Sequence, residues 1–294
     1  MPDRVKIILN AHGGRLNGQA KMKLIEEGMA AAGLDYDLTE TTHRNHGLDL
    51  ARQAAEEGWP VIVAAGGDGT VNEVVNGIMQ GAGHSALGII PFGSANDLAD
   101  VLKLPRNVTA ACQRIAAKNT RPIDVGLVNG RYFVNNSAIG LEAIVTVTQD
   151  QMRYIQGMPR YVAAAIKTIL KAQSWDMRLE WDNGIFEGPA ILVSVGNSHR
   201  TGGAFYMTPQ AKLDDGLLDF IYALDMSRWQ ILNLLPKTFS GKHVNHALIV
   251  YLQTKTLTIT VSPSTPIQAD GEIIDKTATE IHYQILPKKL RVIV

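Results

Sequence analysis

Apolar residues fall in short solid blocks over the first part of the chain and alternate with polar residues over most of the rest. Val5–Leu9, Tyr36–Thr41, Val61–Ala65 and Leu87–Ile90 read as strands, three of them with the solid apolar character of burial on both faces. Between them Ala20–Ala32, Gly47–Gly58, residues 71–80 and Thr109–Ala117 read as helices. In the third of these Val71, Val74, Val75, Ile78 and Met79 recur at i, i+3, i+4, i+7 and i+8, one face of an α-helix. Strand alternating with helix predicts an α/β domain with a parallel, doubly wound sheet. After Asp124 the segments 125–139, 176–182, 186–197, 217–223, 255–261 and 280–286 alternate apolar with polar residues between Gly, Asp and Asn turns. That is the pattern of an antiparallel β domain. Two helices, Tyr161–Ser174 and Arg228–Phe239, interrupt it. The expected domains are residues 1–124 and 125–284, with about 285–294 packing back on the first.

Composition narrows the function. The chain has 294 residues, room for about two domains. Its 28 basic and 28 acidic side chains cancel and form no basic run, which argues against a nucleic-acid partner. A single cysteine, Cys112, allows no intrachain disulfide and fits a reducing compartment, where it packs as a small apolar side chain. Met1–Lys6 lacks the apolar core of a signal peptide, and no apolar run approaches the ~18 residues of a spanning helix. The expectation is a cytoplasmic protein that meets a membrane, if at all, transiently at its inner surface.

The strand at 61–65 runs into Gly66-Gly67-Asp68-Gly69-Thr70 and then directly into a helix. A helix start fed by glycines is an anion site, because its first N–H groups lack partners and the backbone can approach a phosphate closely. Asp68 would repel a phosphate and suits a Mg²⁺ beside it. The P-loop pattern is absent, and Asn72 stands where the dinucleotide fingerprint has its third glycine. Thr70 with Glu73 also fits a capping box. A second loop, Pro91-Phe92-Gly93-Ser94-Ala95-Asn96-Asp97, follows the next strand, and in a doubly wound sheet loops at neighbouring carboxyl ends line one crevice. Ser94 offers a hydroxyl there, although Ser-x-Asn-Asp also suits a helix cap. His43-x-x-His46 and His243-x-x-His246 lack acidic or cysteine partners and read as surface or helix-start histidines. Asp270-Gly271 reads, in isolation, as a turn.

GGDGTVNEVVNG (66–77) together with PFGSANDLA (91–99) resembles the diacylglycerol kinase catalytic family, whose relatives include sphingosine, ceramide and, more distantly, NAD kinases. The resemblance runs over nearly the whole chain. It implies an NAD-kinase/diacylglycerol-kinase-like α/β domain, a β-sandwich-like second domain carrying the lipid site, and ATP as co-substrate. It places Asn10, Gly14, Thr41, Gly66, Gly67, Asp68, Gly69, Thr70, Asn72, Glu73, Ser94, Asn96 and Asp97 at the nucleotide. The family's opening Asn-Pro-x-Ser/Ala-Gly turn is here Asn10-Ala11-His12-Gly13-Gly14, with the proline and serine replaced. Ala269-Asp270-Gly271-Glu272 resembles the family's Asp-Gly-Glu, which makes Asp270 the base that takes the proton of the lipid hydroxyl, Glu272 its neighbour, and Asp68 the organiser of Mg²⁺ and phosphates. Lys212–Asp219 resembles a turn that holds a structural Mg²⁺ through the side chain of Asp215 and the carbonyls of Lys212 and Leu217, with Arg15 and Asp124 behind it. Relatives also imply a homodimer.

The leading reading is an ATP-dependent kinase of a membrane lipid alcohol, with diacylglycerol giving phosphatidic acid. An NAD kinase, which shares GGDGT, and a non-catalytic nucleotide-binding regulator are the alternatives. The helices near 161–171 and 228–242 carry basic and apolar residues that fit either a membrane surface or a core-facing stripe.

Overall fold

The computed structural model describes residues 4–12, 16–81, 84–152 and 158–294. The chain forms two units. One runs up to Val125 and takes in Lys288–Val294; the other is Gly126–Pro287.

The first unit is built from β1 (Val5–Leu9), α1 (Gly18–Ala32), β2 (Tyr36–Glu40), α2 (His46–Glu56), β3 (Val61–Gly66), α3 (Asp68–Gln80), β4 (Ala86–Pro91), α4 (Asp97–Val101) and α5 (Val108–Ala117). Local chemistry sets several boundaries. The Asn17 and Asn107 side chains accept the Ala20 and Ala110 N–H groups and cap α1 and α5, and Gly33 ends α1 at φ +63°. Strands pair in parallel in the order β2-β1-β3-β4, because each link between them is a crossover containing a helix. Val5, Ile7, Leu9, Val63 and Ile90 form the core with Ile25, Met29, Cys112 and Ile115 from α1 and α5. Burial pushes the Cys112 thiol up to about 11, so it stays a neutral packing group.

In the second unit β5 (Thr120–Val128), which begins in the first, forms a hairpin with β6 (Arg131–Phe133). There follow β7 (Asn136–Gly140), α6 (Leu141–Gln151), α7 (Met158–Ile169), β8 (Trp175–Trp181), β9 (Gly184–Gly196), β10 (Leu218–Leu224), α8 (Arg228–Thr238), a 3₁₀ turn at Lys242–Asn245, β11 (Ile249–Thr254), β12 (Thr256–Ala269) and β13 (Glu272–Ile293). Its ladders are antiparallel, β11-β10-β9-β7-β12-β13, with β8 paired to β9 and β12. Trp175, Leu179, Val193, Phe220, Ile259 and Ile281 are in its core. β13 then carries the chain back: Lys288 turns at φ +51° with its N–H on Asp124 Oδ1 (2.6 Å), and Arg291 and Val292 pair in parallel with Ala86 and Leu87 of β4.

Several expectations need correction. The parallel ladders are confined to β2-β1-β3-β4 and this last stretch of β13, while the described ladders elsewhere are antiparallel, so the structure does not establish a doubly wound sheet. After residue 124 some strands are joined by tight turns such as Asp270-Gly271, which allow only antiparallel pairing, and the longer links there also join antiparallel neighbours such as β10 and β11. α3 starts at Asp68, earlier than its apolar period, with the glycine Gly67 as N-cap. The Thr70–Glu73 capping box does not form. Glu73 instead accepts the Asn45 and Gly47 N–H groups at 2.8 and 2.9 Å, and so caps α2. The helix α6 and the strand β11 have no counterpart in the sequence reading. Residues 197–217 hold no strand beyond an isolated Thr201–Phe205 bridge, so the Asp215-Gly216 turn opens β10 without closing a hairpin.

Candidate active site

β3 and β4 end side by side, Gly66 opposite Pro91, so the loops that follow leave from one edge. They touch through glycines. A Cβ on Gly93 would come within 2.5 Å of Gly67 Cα, and one on Gly66 within 2.2 Å of Thr70 Oγ1. Asp68 locks the pair: its two carboxylate oxygens accept the N–H groups of Asp97 (2.6 Å) and Asn96 (2.9 Å). Burial pushes the Asp68 carboxyl above its ordinary range, and these two N–H groups pull it back. Asn96, in left-handed backbone at φ +54°, folds its amide onto the Gly93 N–H and carbonyl. It therefore shapes the loop, and makes no side-chain cap on α4. Ser94 is exposed, while Asn72 and Asp97 are buried.

The neighbouring strands add to this edge. Asn10, after β1, donates to Thr70 Oγ1 (3.3 Å), and Thr41, after β2, gives its N–H to Leu9 O (2.8 Å). Gly14 and Arg15 lie outside the described residues. Lys21 was not expected here. It is fully buried on α1, donates to the Asn10 carbonyl (2.8 Å) and lies 5.6 Å from the Phe92 ring, and desolvation lowers its pKa. A lone lysine on an amphipathic helix gives no sign in sequence that it faces inward.

In the second unit Asp270 and Gly271, both at positive φ, form the two-residue turn between β12 and β13. The Asp270 carboxylate accepts three backbone N–H groups: Val134 (2.9 Å) on Oδ2, Asn135 (2.8 Å) and Asn136 (3.1 Å) on Oδ1. Its own N–H returns to the Asn136 carbonyl (2.8 Å). Glu272 is half-buried opposite Ala269. Beneath the turn sits Glu142, at the start of α6. Burial pushes it up to about 7, with Ser194 and Asn136 beside it acting the other way. His243 is not a surface residue: it is buried, its Nε2 meets the Met207 carbonyl (3.2 Å), and desolvation lowers it to about 4. His43 and His46 stack on each other, ring centroids 4.6 Å apart.

The turn at 212–217 is exposed at Lys212 and Asp215, and the Asp215 carboxylate accepts the Leu217 N–H (3.1 Å). One carboxylate with main-chain carbonyls is the hard-oxygen donor set that Mg²⁺ takes with retained waters. Among the described residues no three His, Cys, Asp or Glu side chains cluster for a metal, so a cation here would depend on those carbonyls. Asp124 is fully buried and holds the Lys288 N–H.

The diacylglycerol kinase catalytic domain family matches residues 4–128, and the YegS C-terminal NAD kinase beta sandwich-like domain matches residues 136–294. A diacylglycerol kinase of Staphylococcus epidermidis is 31% identical over 278 residues, 92% of this chain and 86% of that protein. The chain belongs to the diacylglycerol kinase family. A relative from Staphylococcus haemolyticus is 31% identical over 242 residues, 82% of this chain and 73% of that one. A solved diacylglycerol kinase from Bacillus anthracis, 26% identical, aligns with a TM-score of 0.82 over 99% of this chain and 96% of its own. Membership bears out the expected lipid kinase, with ATP as the co-substrate that such a kinase implies. It also bears out an N-terminal catalytic domain followed by a β-rich domain. Among the described residues of this family member no helix is long and apolar enough to cross a membrane.

Proposed function

We propose that the protein transfers the γ-phosphoryl group of ATP to the hydroxyl of a membrane lipid alcohol, diacylglycerol giving phosphatidic acid. The observation that carries this reading is the pair of fixed carboxylates, Asp68 between two glycine loops and Asp270 on a strained turn. ATP belongs with the first unit. Its phosphates meet the first N–H groups of α3, which the glycines leave open to close approach. Ser94 offers its hydroxyl from the neighbouring loop. Support for reading this unit as doubly wound comes from the parallel ladders and the helices α1–α3 that link them. Mg²⁺ bound at the nucleotide, with Asp68 holding it, would neutralise charge developing on the phosphates, and a separate structural Mg²⁺ would be held by Asp215 with the Lys212 and Leu217 carbonyls.

Asp270 then takes the proton of the acceptor hydroxyl as its oxygen bonds to phosphorus and the bond to ADP breaks. Three backbone donors fix the carboxylate, so it meets the hydroxyl without first reorienting. Glu272 stands beside it on β13.

The lipid belongs with the second unit. An apolar cavity of about 90 Å³ lies there among α6, α7, α8, β9 and β10, with Val145, Tyr161, Phe205, Ile221 and Leu234 on its wall. That is less than the ~150 Å³ that houses a benzene in an engineered core, so it suits a segment of one hydrocarbon chain. Ile166 on α7, Leu170 just after it and Trp229 on α8 are exposed, beside Lys167, Lys171 and Arg228. Apolar and basic residues together support contact with an anionic lipid surface.

The test is ATP turnover with Mg²⁺ against dispersed diacylglycerol, other lipid alcohols and NAD, comparing wild type with Asp270→Asn. The expected outcome is turnover on diacylglycerol that falls by about 10²–10⁴-fold in the variant while ATP still binds. Turnover on NAD alone would overturn the reading, as would full activity in a folded Asp270→Asn protein.

A further inference from the structure

Asn136 and Gln268 grip the two ends of the Asp270-Gly271 turn, the first through its main chain and the second through its side chain. Asn136 lies on one side: its N–H donates to Asp270 Oδ1 (3.1 Å) and its carbonyl accepts the Asp270 N–H (2.8 Å). Gln268 lies on the other: its Oε1 accepts the Gly271 N–H (2.9 Å). Both side chains have their amide ends assigned by other partners. Asn136 Oδ1 accepts the Thr201 hydroxyl (2.6 Å), which turns Nδ2 the other way, and the Gly271 N–H does the same for Gln268 Nε2. The two amino groups converge on one atom, Glu142 Oε1, at 2.8 Å from Asn136 and 3.5 Å from Gln268. Glu142 is 6% exposed and lies on the wall of the apolar cavity.

We propose that Glu142 is the positioning residue of the phosphoryl-transfer site, holding the Asp270-Gly271 turn in its reactive geometry through Asn136 and Gln268. The proposal rests on Asp270 being the proton acceptor. Glu142 touches neither ATP nor the reacting hydroxyl. Its part is to keep two buried amino groups satisfied in one arrangement. Without an acceptor at that point both would seek other partners, and the turn they hold would lose its fixed register. Placement on the cavity wall means that the side chain orienting the base also borders the space assigned to the acceptor's chain.

The experiment compares Glu142→Leu with Glu142→Gln in the full chain. Leucine removes the acceptor and also a buried carboxyl group, so the variant is expected to fold. Glutamine keeps an acceptor oxygen for the two amino groups and has Ser194 beside it for its own amino group. The expected result for Glu142→Leu is a kcat about 10–100-fold down with the KM for ATP unchanged, and faster amide exchange at Gly271. Glutamine should restore most of the lost kcat and the slow exchange. Wild-type kcat and exchange in Glu142→Leu would overturn the proposal, as would a glutamine variant as impaired as leucine. The exchange measurement decides the positioning role even if no lipid in the panel is phosphorylated, and that failure would count against the kinase reading instead.

Discussion

Asp68, half-buried, and Glu142, buried, are carboxylates at a helix start, one in each unit, yet they are held in opposite ways. Asp68 meets backbone N–H groups, those of Asn96 and Asp97. Glu142 meets the side-chain amino groups of Asn136 and Gln268 on Oε1, with Ser194 beside it. Backbone donors are present whatever side chains stand nearby, so the Asp68 clamp depends on loop shape. The Glu142 arrangement depends on three particular side chains staying as they are. The first clamp therefore rests on one side chain, Asp68 itself, whereas the second can be retuned at several positions.

The largest effect should come from breaking the first arrangement. Asp68→Leu leaves two buried N–H groups unpaired, at about 1–3 kcal/mol each. Urea unfolding should show roughly 2–6 kcal/mol of lost stability together with loss of ATP binding. Asp68→Asn keeps one acceptor oxygen and should lose about half as much.

A second test sharpens the contrast through pH. The folded Glu142 carboxyl, raised to about 7 from 4.5, binds its proton more tightly than the unfolded one. Its contribution to stability is fully present below pH 4.5 and is lost as pH rises through 7. His243, lowered to about 4 from 6.5, works the other way: its contribution is present above pH 6.5 and is lost as pH falls through 4. Each spans about 3 kcal/mol, and in the wild type they oppose each other between pH 4.5 and 6.5. Glu142→Gln removes one slope. Between pH 7.5 and 4.5 the stability of wild type relative to this variant should rise by about 3 kcal/mol, read from urea midpoints at the two pH values. A constant difference would contradict the burial assigned to Glu142.

Gly93→Ala probes the loop contact without touching a carboxylate. Its Cβ would meet backbone, Gly67 Cα at 2.5 Å, so the loops must part. The cost should be about 1–3 kcal/mol, accompanied by a higher KM for ATP. The smallest effect belongs to Leu235→Trp, at the half-buried edge of the cavity. It should lower kcat/KM for long-chain acceptors by about tenfold relative to short-chain ones and leave ATP binding alone. Equal losses for both chain lengths would remove the acceptor's chain from this cavity.

The same contrast explains what could be read from the sequence. The Asp68 loop is legible because its partners lie in two short segments, each following a solid apolar strand with glycines to mark the turn. Asp270-Gly271 is legible as a turn for the same reason. Glu142 is not, because its partners stand 6 and 126 residues away and have no local pattern. The helix that carries it, α6, did have a signal: Leu141, Ile144 and Val145 stand at i, i+3 and i+4 just after a glycine. It falls between the strand expected at 125–139 and the helix expected at 161–174, in a stretch assigned to neither. Glu73 was legible as a helix-start residue, but its carboxylate serves α2 across a gap of 26 residues or more, which spacing along one helix cannot reveal. His243 gives no sign in sequence of its burial, because it stands in a four-residue turn between exposed Lys242 and Asn245 from which it and Val244 face inward.

The return of β13 has a consequence for how the molecule comes into being. β4 has β3 along one edge and Arg291–Val292 along the other, and those residues emerge from the ribosome some two hundred positions later. Until then β4 offers an unpaired edge of the kind that other chains readily join. The first unit therefore cannot finish in the order in which it is made. It must wait, partly assembled, while the entire second unit is synthesised and folded, so the last few residues act as the latch that closes the first half.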